Sequence, residues 1–279
     1  MMPDFQSSFH SKPAMPLPSS RTPRLAFVTG ASSGIGQAIA LLLLKQGWSV
    51  ALCARRVDAV RLWAANAGMD MQRIHIVGAD VRDANGMAAA GAALISELGV
   101  PDAVFACAGI SVGFDNEQLS DLEQMRAVFE TNNLGMAATF QPFIGPMRAR
   151  GSGRLVGISS IAAYRGLPGH GAYSASKAAV LVQCESLRSE LSGSGVKVVA
   201  IAPGYIDTPL TRGNPYPMPF LMPVDAFARR AVEAMERGDA FRAIPWQMGW
   251  VGRLLRALPN WAYDAILAKR SRKARAPSP

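Results

Sequence analysis

The sequence predicts an α/β fold: a doubly wound parallel sheet with helices on both faces, forming one domain with a helical C-terminal extension. Three observations predict it. From Arg24 onward, short apolar strands alternate with helical patterns, the signature of parallel strands joined by crossovers. A glycine-rich turn, Thr29-Gly30-Ala31-Ser32-Ser33-Gly34-Ile35-Gly36, joins the first strand to the first helix. A composition of 49% hydrophobic and 18% charged residues supplies a sizeable core over 279 residues.

The elements follow in order. Leu25–Thr29 is a strand and Gly34–Gln46 a helix. Ser49–Ala54 and Arg73–Val77 are the next strands, followed by helices over Asp58–Asn66 and Asn85–Leu98. Ala103–Ala106 is a fourth strand. Helical segments cover Leu119 to Arg150 with a break near Thr131. Arg154–Ser159 is a fifth strand, Tyr173–Leu191 a long helix and Lys197–Ile201 a sixth strand. Residues 1–23 are rich in Ser and Pro without apolar periodicity and read as a disordered leader. The domain occupies 24–244, and 245–279 form the extension.

Composition excludes several classes. Cys53, Cys107 and Cys184 are far apart with no Cys-x-x-Cys, which argues against a disulfide framework or zinc site and suits a reducing, cytoplasmic compartment. His10, His75 and His170 are scattered, so no metal site is expected. The leader lacks the apolar core of a secretory signal, and no run reaches the ~18 apolar residues of a spanning helix. The net charge of +9 sits at the ends: residues 251–279 carry +6 and residues 1–24 carry +2, leaving the body near neutral. A nucleic-acid enzyme spreads its basic residues over the domain, so no nucleic-acid partner is expected.

The chemistry-bearing stretches lie at strand ends. Glycines after the first strand let the backbone turn tightly and approach a pyrophosphate, and the helix N-terminus favours the anion. The second strand ends in Arg55-Arg56, where an acidic residue would bond an adenosine ribose. Guanidinium groups suit a 2′-phosphate instead, pointing to NADP(H) over NAD(H); the alternative is a solvated helix start. Asp80 is placed to reach an adenine edge or to cap a turn. In Gly171 to Ala179, Tyr173 and Lys177 are four apart on one helix face. An ammonium beside a phenol favours the phenolate and lowers its pKa from ~10, preparing it to move a proton near pH ~7.

Together these residues resemble the short-chain dehydrogenase/reductase family over roughly Arg24 to Ala243. The motifs are Thr29–Gly36, Asp80-Val81, Ala108-Gly109, Asn132-Asn133-Leu134-Gly135, Ser159-Ser160, Tyr173-x-x-x-Lys177, and Pro203-Gly204 with Thr208. The resemblance implies a Rossmann-type domain interconverting a carbonyl and a secondary alcohol by hydride transfer, in the direction of reduction. It implies Tyr173 as the acid/base and Lys177 as the residue that lowers its pKa and holds the nicotinamide ribose. Ser160 would bond the substrate oxygen, and Asn132 would anchor a proton-relaying water. Pro203, Gly204, Ile206 and Thr208 would meet the nicotinamide end. The family usually has Asn before the Ala-Gly of the fourth strand; here Cys107 stands there, a much weaker hydrogen-bonding group. The competing readings are an NAD-linked alcohol dehydrogenase and a non-catalytic cofactor-binding regulator. The family often pairs through the long helix, so a homo-oligomer is expected.

Two regions bear on the substrate. Residues 205–223 hold Pro209, Pro215, Pro217, Pro219 and Pro223, which forbid a long helix. The resemblance makes this region a lid, and Met218, Phe220, Leu221 and Met222 make it apolar, favouring a lipid- or steroid-like ketone; the alternative is that these residues simply pack on the domain. Ser111, Val112, Gly113 and Phe114 would line the opposite side. In the extension, Trp250, Val251, Leu254, Leu255 and Leu258 recur at helical spacing, and Pro259 starts a second helix carrying Trp261, Ala265 and Ile266. A basic cluster from Lys269 to Arg275 follows. Apolar faces beside basic residues suit reversible contact with an anionic membrane; the alternative is packing on the domain.

Overall fold

Seven parallel strands carry the fold, in the spatial order β3-β2-β1-β4-β5-β6-β9. They are β1 (Leu25–Thr29), β2 (Ser49–Ala54), β3 (Ile74–Gly78), β4 (Ala103–Ala106), β5 (Gly153–Ile158), β6 (Val196–Pro203) and, at the far edge, β9 (Phe241–Ile244). A separate two-stranded ribbon pairs β7 (Ile206–Asp207) with β8 (Met222–Pro223). The helices are α1 (Gly34–Lys45), α2 (Val57–Asn66), α3 (Ala84–Leu98), α4 (Asp121–Phe129), α5 (Gly135–Arg150), α6 (Gly171–Glu190), α7 (Pro209–Arg212), α8 (Val224–Arg237), α9 (Trp246–Ala257) and α10 (Asn260–Leu267). This computed structural model describes residues 24–268 and Arg275. The expected leader and Lys269, Arg270, Arg272 and Lys273 lie outside the described residues.

Each face of the sheet is covered, which is why its strands read as continuous apolar runs instead of alternating. In β1, Ala26 and Val28 join a core with Ile39 and Leu43 of α1, Val60 of α2 and Phe227 of α8. Phe27 points to the other face, into a core with Met87 of α3, Phe143 of α5 and Val180 of α6. Its ring lies 5.0 Å from that of Phe143. Burying a side chain of this size stabilises the fold by roughly 1.5–3 kcal/mol. The strand order reverses between β1 and β4. Ligands bind at such a switch point, beyond the carboxyl ends of the strands.

The long helical stretch departs from expectation. Instead of a break near Thr131, the chain stays helical and widens over Glu130–Leu134 into a single π turn, with the Gly135 N–H donating to Glu130 O. Two elements carried no expectation, α8 and β9. The periodicity of α8 was there to find: Phe227, Ala228, Ala231, Val232 and Met235 recur at three- and four-residue spacing and are buried. The β9 strand has four residues, two of them exposed, so its sequence lacks an apolar run. Across 205–223 the prolines leave only α7 and the ribbon.

Candidate active site

At the carboxyl end of β1 the chain turns through Gly30, at φ +66. A Cβ here would sit 2.7 Å from the backbone N of Ala108, and one at Gly36 would sit 2.5 Å from Gly30 O. Only glycine permits this approach, which leaves a cradle at the N-terminus of α1. Ser33 precedes the helix without a side-chain cap, and the first turn holds no acid. Free N–H groups at a helix start, bounded by bare backbone, suit a pyrophosphate. Gly30, Ser32, Ser33, Gly34, Ile35 and Gly36 all line one cavity of about 430 Å³. Val81, Ala108, Gly109 and Thr208 line it too. Thr29 lies just behind: its hydroxyl donates to Phe105 O (3.4 Å) and accepts from Ala108 N (3.4 Å), tying β1 to β4. The cavity therefore fits a dinucleotide.

Its outer end is basic. Arg55 and Arg56 line it as expected, and Arg82, which drew no expectation from the sequence, joins them. Asp80 is held by a forked Arg82 guanidinium, with Nη2 2.6 Å from Oδ2, and Arg55 Nη1 stands 3.8 Å away. The bond from Arg82 holds the Asp80 carboxyl below its ordinary value, with Arg55 adding to it. Arg56 caps the start of α2 through its backbone and makes no ion pair with a described residue.

The opposite end narrows to a cavity of about 90 Å³, where Pro203, Gly204, Ile206 and Thr208 meet Ser160, Tyr173 and Lys177. Thr208 is buried and forms a capping box with Thr211 at the start of α7. Asn132 sits in the π turn, 2% exposed. Its Oδ1 accepts from Ile110 N (2.9 Å), and its Nδ2 donates to Ile110 O (3.1 Å) and Ser176 Oγ (2.9 Å). A Cβ at Gly109 would lie 3.2 Å from Asn132 Oδ1 and 3.3 Å from Lys177 Nζ, so the two side chains converge there. Asn133 instead bonds Ser176 O. Ser159 donates to Lys177 O (2.7 Å) and is buried, whereas Ser160 faces the cavities and accepts from Ala162 N. Of the neighbours, Ser160 lines the cavities and Asn132 bonds the backbone of Ile110, in the wall of the dinucleotide cavity.

Ser160 and Tyr173 also line a third cavity, of about 210 Å³, beyond the nicotinamide end. Ser111 lines it as expected. Most of the wall comes from the 160–170 loop, the 205–219 loop and the C-terminal helices.

With that geometry in hand, the relatives are informative. The family described as short chain dehydrogenase matches residues 24–216. An uncharacterised oxidoreductase of Myxococcus xanthus is 40% identical over 245 residues, 87% of this chain and 95% of its own. The chain belongs to the short-chain dehydrogenase/reductase family. A cis-4-hydroxycyclohexanecarboxylate dehydrogenase of Sinomonas cyclohexanicum is 37% identical over 194 residues, 69% of this chain and 77% of its own. A short-chain dehydrogenase of Burkholderia cenocepacia, solved in complex with NADP, superposes with a TM-score of 0.75 at 26% identity, covering 89% of this chain and 98% of that one.

In this short-chain dehydrogenase the Tyr173 and Lys177 pair has a different electrostatic setting from the one expected. Burial raises the Tyr173 phenol above its ordinary value, and the hydrogen bond with Ser160 only partly offsets it. Lys177 Nζ donates to Ile158 O (2.9 Å) and lies 5.8 Å from the Tyr173 ring centroid. Burial in turn pulls Lys177 down to about 8. Cys107, where the family has Asn, is pushed up to about 12 by burial, so it stays a neutral thiol.

The substrate side needs four corrections. Phe114 packs in a small core with Val128 and Ala172 and does not reach the cavity. Phe220 (51% exposed, φ 57) and Leu221 (47%) face solvent. Met218 lies outside the lining, its sulfur accepting from Asn214 Nδ2. The loop's contribution comes instead from Tyr205, Leu210, Thr211, Asn214, Tyr216, Pro217 and Pro219. The extension carried two readings, membrane contact and packing on the domain, and Met248, Val251, Gly252, Leu255 and Tyr263 do form part of the cavity wall. Its apolar residues divide: those five face the domain, and Trp246, Trp250, Leu254, Trp261 and Ile266 remain exposed. No helix of the described residues is long and apolar enough to cross a membrane.

Proposed function

We propose that this oxidoreductase reduces a hydrophobic ketone to a secondary alcohol with NADPH. The observation that carries the reading is that Ser160 and Tyr173 line both the nicotinamide-end cavity and the cavity beyond it. A carbonyl carbon at that junction meets a hydride donor on one side and two hydroxyls on the other. The cofactor supplies the hydride. Ser160 bonds the carbonyl oxygen and holds it against Tyr173, whose high pKa keeps its proton available for transfer to the developing alkoxide. Lys177 and Asn132 converge on Gly109 and support the proton's replacement. The backbone cradle and α1 fix the cofactor's orientation, and the apolar walls exclude water.

NADP(H) is preferred to NAD(H) because Arg55, Arg56 and Arg82 line the adenosine end and the one carboxylate there, Asp80, is already forked by Arg82. The Burkholderia relative's complex with NADP supports this preference. The test is NADPH consumption with a graded set of ketones. Tyr173→Phe removes one hydroxyl, and turnover should fall at least ~100-fold, the scale of a positioned acid, with NADPH affinity nearly kept. Near-full turnover in that variant would refute the assignment.

A second reading concerns location. The exposed Trp246, Trp250 and Leu254 recur every four residues on α9, with Arg253 and Arg256 beside them. That stripe supports reversible peripheral contact with an anionic membrane, on the side of α9 turned away from the cavity.

A further inference from the structure

The cavity beyond Ser160 and Tyr173 has an unusual wall. The chain contains five tyrosines, Tyr164, Tyr173, Tyr205, Tyr216 and Tyr263, and all five line it. They come from separate segments, so the fold gathers them from nearly 100 residues of chain. Beyond Tyr173, the hydroxyls are turned to protein partners. Tyr263 donates to Gly166 O, and Tyr216 pairs with His170 Nε2 at 3.2 Å. Tyr164 is bonded by Arg253. What the rings leave for a ligand is mostly flat aromatic surface. Tyr216 stands between Tyr205 and His170, with ring centroids 6.3 and 5.8 Å away and ring planes tilted by 55° and 67°, so the aromatic wall is faceted.

The C-terminal helices close this cavity, and Arg165 fastens them. Its Nη1 donates to Leu255 O (2.6 Å) and Leu258 O (2.7 Å), carbonyls at the end of α9, and its Nη2 to Asn260 Oδ1 (2.7 Å). The guanidinium lies 3.9 Å over the Tyr263 ring of α10. One side chain thus satisfies orphan carbonyls at a helix end and stacks on the next helix. On the other side α9 sits so close that a Cβ at Gly252 would fall 2.8 Å from the Tyr164 ring. The wall is therefore pinned rather than loosely apposed.

We infer that α9 and α10 set the substrate class: a compact, flat ketone of one or two rings, held between tyrosine faces and Leu255 and Val251. This deepens the carbonyl reduction proposed above and rests on it. Size decides against the larger alternatives. The cavity holds about 210 Å³. A dry cavity of about 150 Å³ is filled by one benzene ring. Pockets for drug-sized ligands run to roughly 300–1,000 Å³. One ring fits with room and two fused rings fill the space. A four-ring steroid or long acyl chain exceeds that volume, which narrows the lipid- or steroid-like substrate expected from the sequence. Rings also lie flat against aromatic panels in offset or edge contacts, which a flexible chain does not match. Arg165 is a positioning residue: its donors serve the helices, and it acts on the ligand through the wall.

The test separates binding from chemistry. The full-length Tyr173→Phe protein is saturated with NADP and titrated by calorimetry with cyclohexanone, tetralone, a four-ring steroid ketone and a long-chain 3-oxo ester. Tetralone should bind at least ~10-fold more tightly than the steroid or the ester, the scale set by a pocket too small for its ligand. Adding Leu255→Ala, which opens the α9 wall, should shift the ratio toward the steroid by ~10-fold or more without changing NADP affinity. Arg165→Lys keeps the charge but loses the fork, and should reduce the same discrimination. Tighter binding of the steroid or the ester by the Tyr173→Phe protein overturns the inference. So does an unchanged ratio after Leu255→Ala. If the binding order holds and the unmutated protein reduces none of the ketones, the carbonyl chemistry fails and the pocket assignment stands.

Discussion

The cofactor half and the substrate half of this site are built from different materials. The cofactor half is mostly backbone: glycines pressed against Ala108 N and Gly30 O, the bare N-terminus of α1, and the ends of β1, β2 and β4. The substrate half is side chains drawn from three distant segments, the 160–170 loop, the 205–219 loop and α9–α10. Backbone geometry leaves a short-range signal, because the glycine spacing and the strand that precedes it are adjacent in sequence. A wall assembled from side chains leaves none until the tertiary packing is known. The first half constrains which molecule delivers the hydride, and the second which molecule receives it.

The sharpest way to break this contrast lies in the cofactor half, where a few side chains decide between two dinucleotides. Arg55 shares its charge with Asp80, and Arg82 forks onto the same carboxylate, whereas Arg56 has no such partner among the described residues. Arg56→Ala should therefore weaken NADPH by about 10- to 100-fold, the scale of one lost charge-assisted contact. Arg55→Ala should cost less, and NADH should be nearly indifferent to both. Fluorescence titration of the four pairs decides it. Equal losses for NADPH and NADH would mean that the arginines serve the fold alone.

How far the sequence carried the argument follows the same division. Gly30 to Gly36, Asp80, Gly109, Asn132, Ser160, Tyr173, Lys177 and Thr208 were legible because each sits at a strand end or at fixed spacing on one helix. All of them line the cavities or, like Asn132, bond their walls. Phe114 was read as substrate-facing from its place after the fourth strand, and Met218, Phe220 and Leu221 from the family's lid region and their apolarity. Apolarity does not distinguish a side chain packed in a core, as Phe114 is, from one turned to solvent, as Phe220 is. Arg82 was missed because its importance comes from Asp80, two residues away, which the turn folds back onto it. The spacing of Trp250, Val251, Leu254, Leu255 and Leu258 predicted a helix but not which of them meet the domain: Val251 and Leu255 line the cavity, and Trp250 and Leu254 are exposed. The lowered phenol pKa expected from the Tyr-x-x-x-Lys spacing is opposed by burial, which raises the Tyr173 phenol. Spacing placed both residues on one face and could not say where a four-carbon side chain ends.

Lys177 lies at the boundary of the two halves, and its titration sharpens the comparison. Burial depresses it from 10.5 to about 8, so the folded chain sheds that proton first. Between about 8 and 10.5 the unfolded chain holds more protons, so this group's contribution to stability rises with pH. Below pH 8 the cost of the buried charge is present in full. Lys177→Met should gain relative to the unmutated protein below pH 8, and that gain should shrink as pH rises toward 10.5. Calorimetric Tm values of the cofactor-free proteins across that range measure it. A difference in Tm that does not vary with pH would mean that the ammonium keeps its ordinary pKa.

The smallest effect is expected on the outer side of the substrate half. The inward face of α9 is spent on the cavity wall, so its share of any membrane contact falls to Trp246, Trp250 and Leu254, which are 62%, 62% and 66% exposed. Tryptophan favours the interface between water and lipid, and each nearby basic residue adds about 1 kcal/mol at an anionic surface. Arg253 lies 5.2 Å over the Trp250 ring, so one aromatic and one charge already act as a unit. Two or three such charges support a weak, salt-sensitive attachment, not an anchor. The full chain should co-sediment in part with anionic vesicles at low salt and be released at high salt. The double substitution Trp246→Ala and Trp250→Ala should halve the bound fraction or more while leaving ketone binding intact, because neither ring lines the cavity. A full chain that stays in the supernatant at low salt would remove the membrane from the account. The outer stripe would then be exposed surface with no lipid role, and the inner stripe the whole reason for the extension.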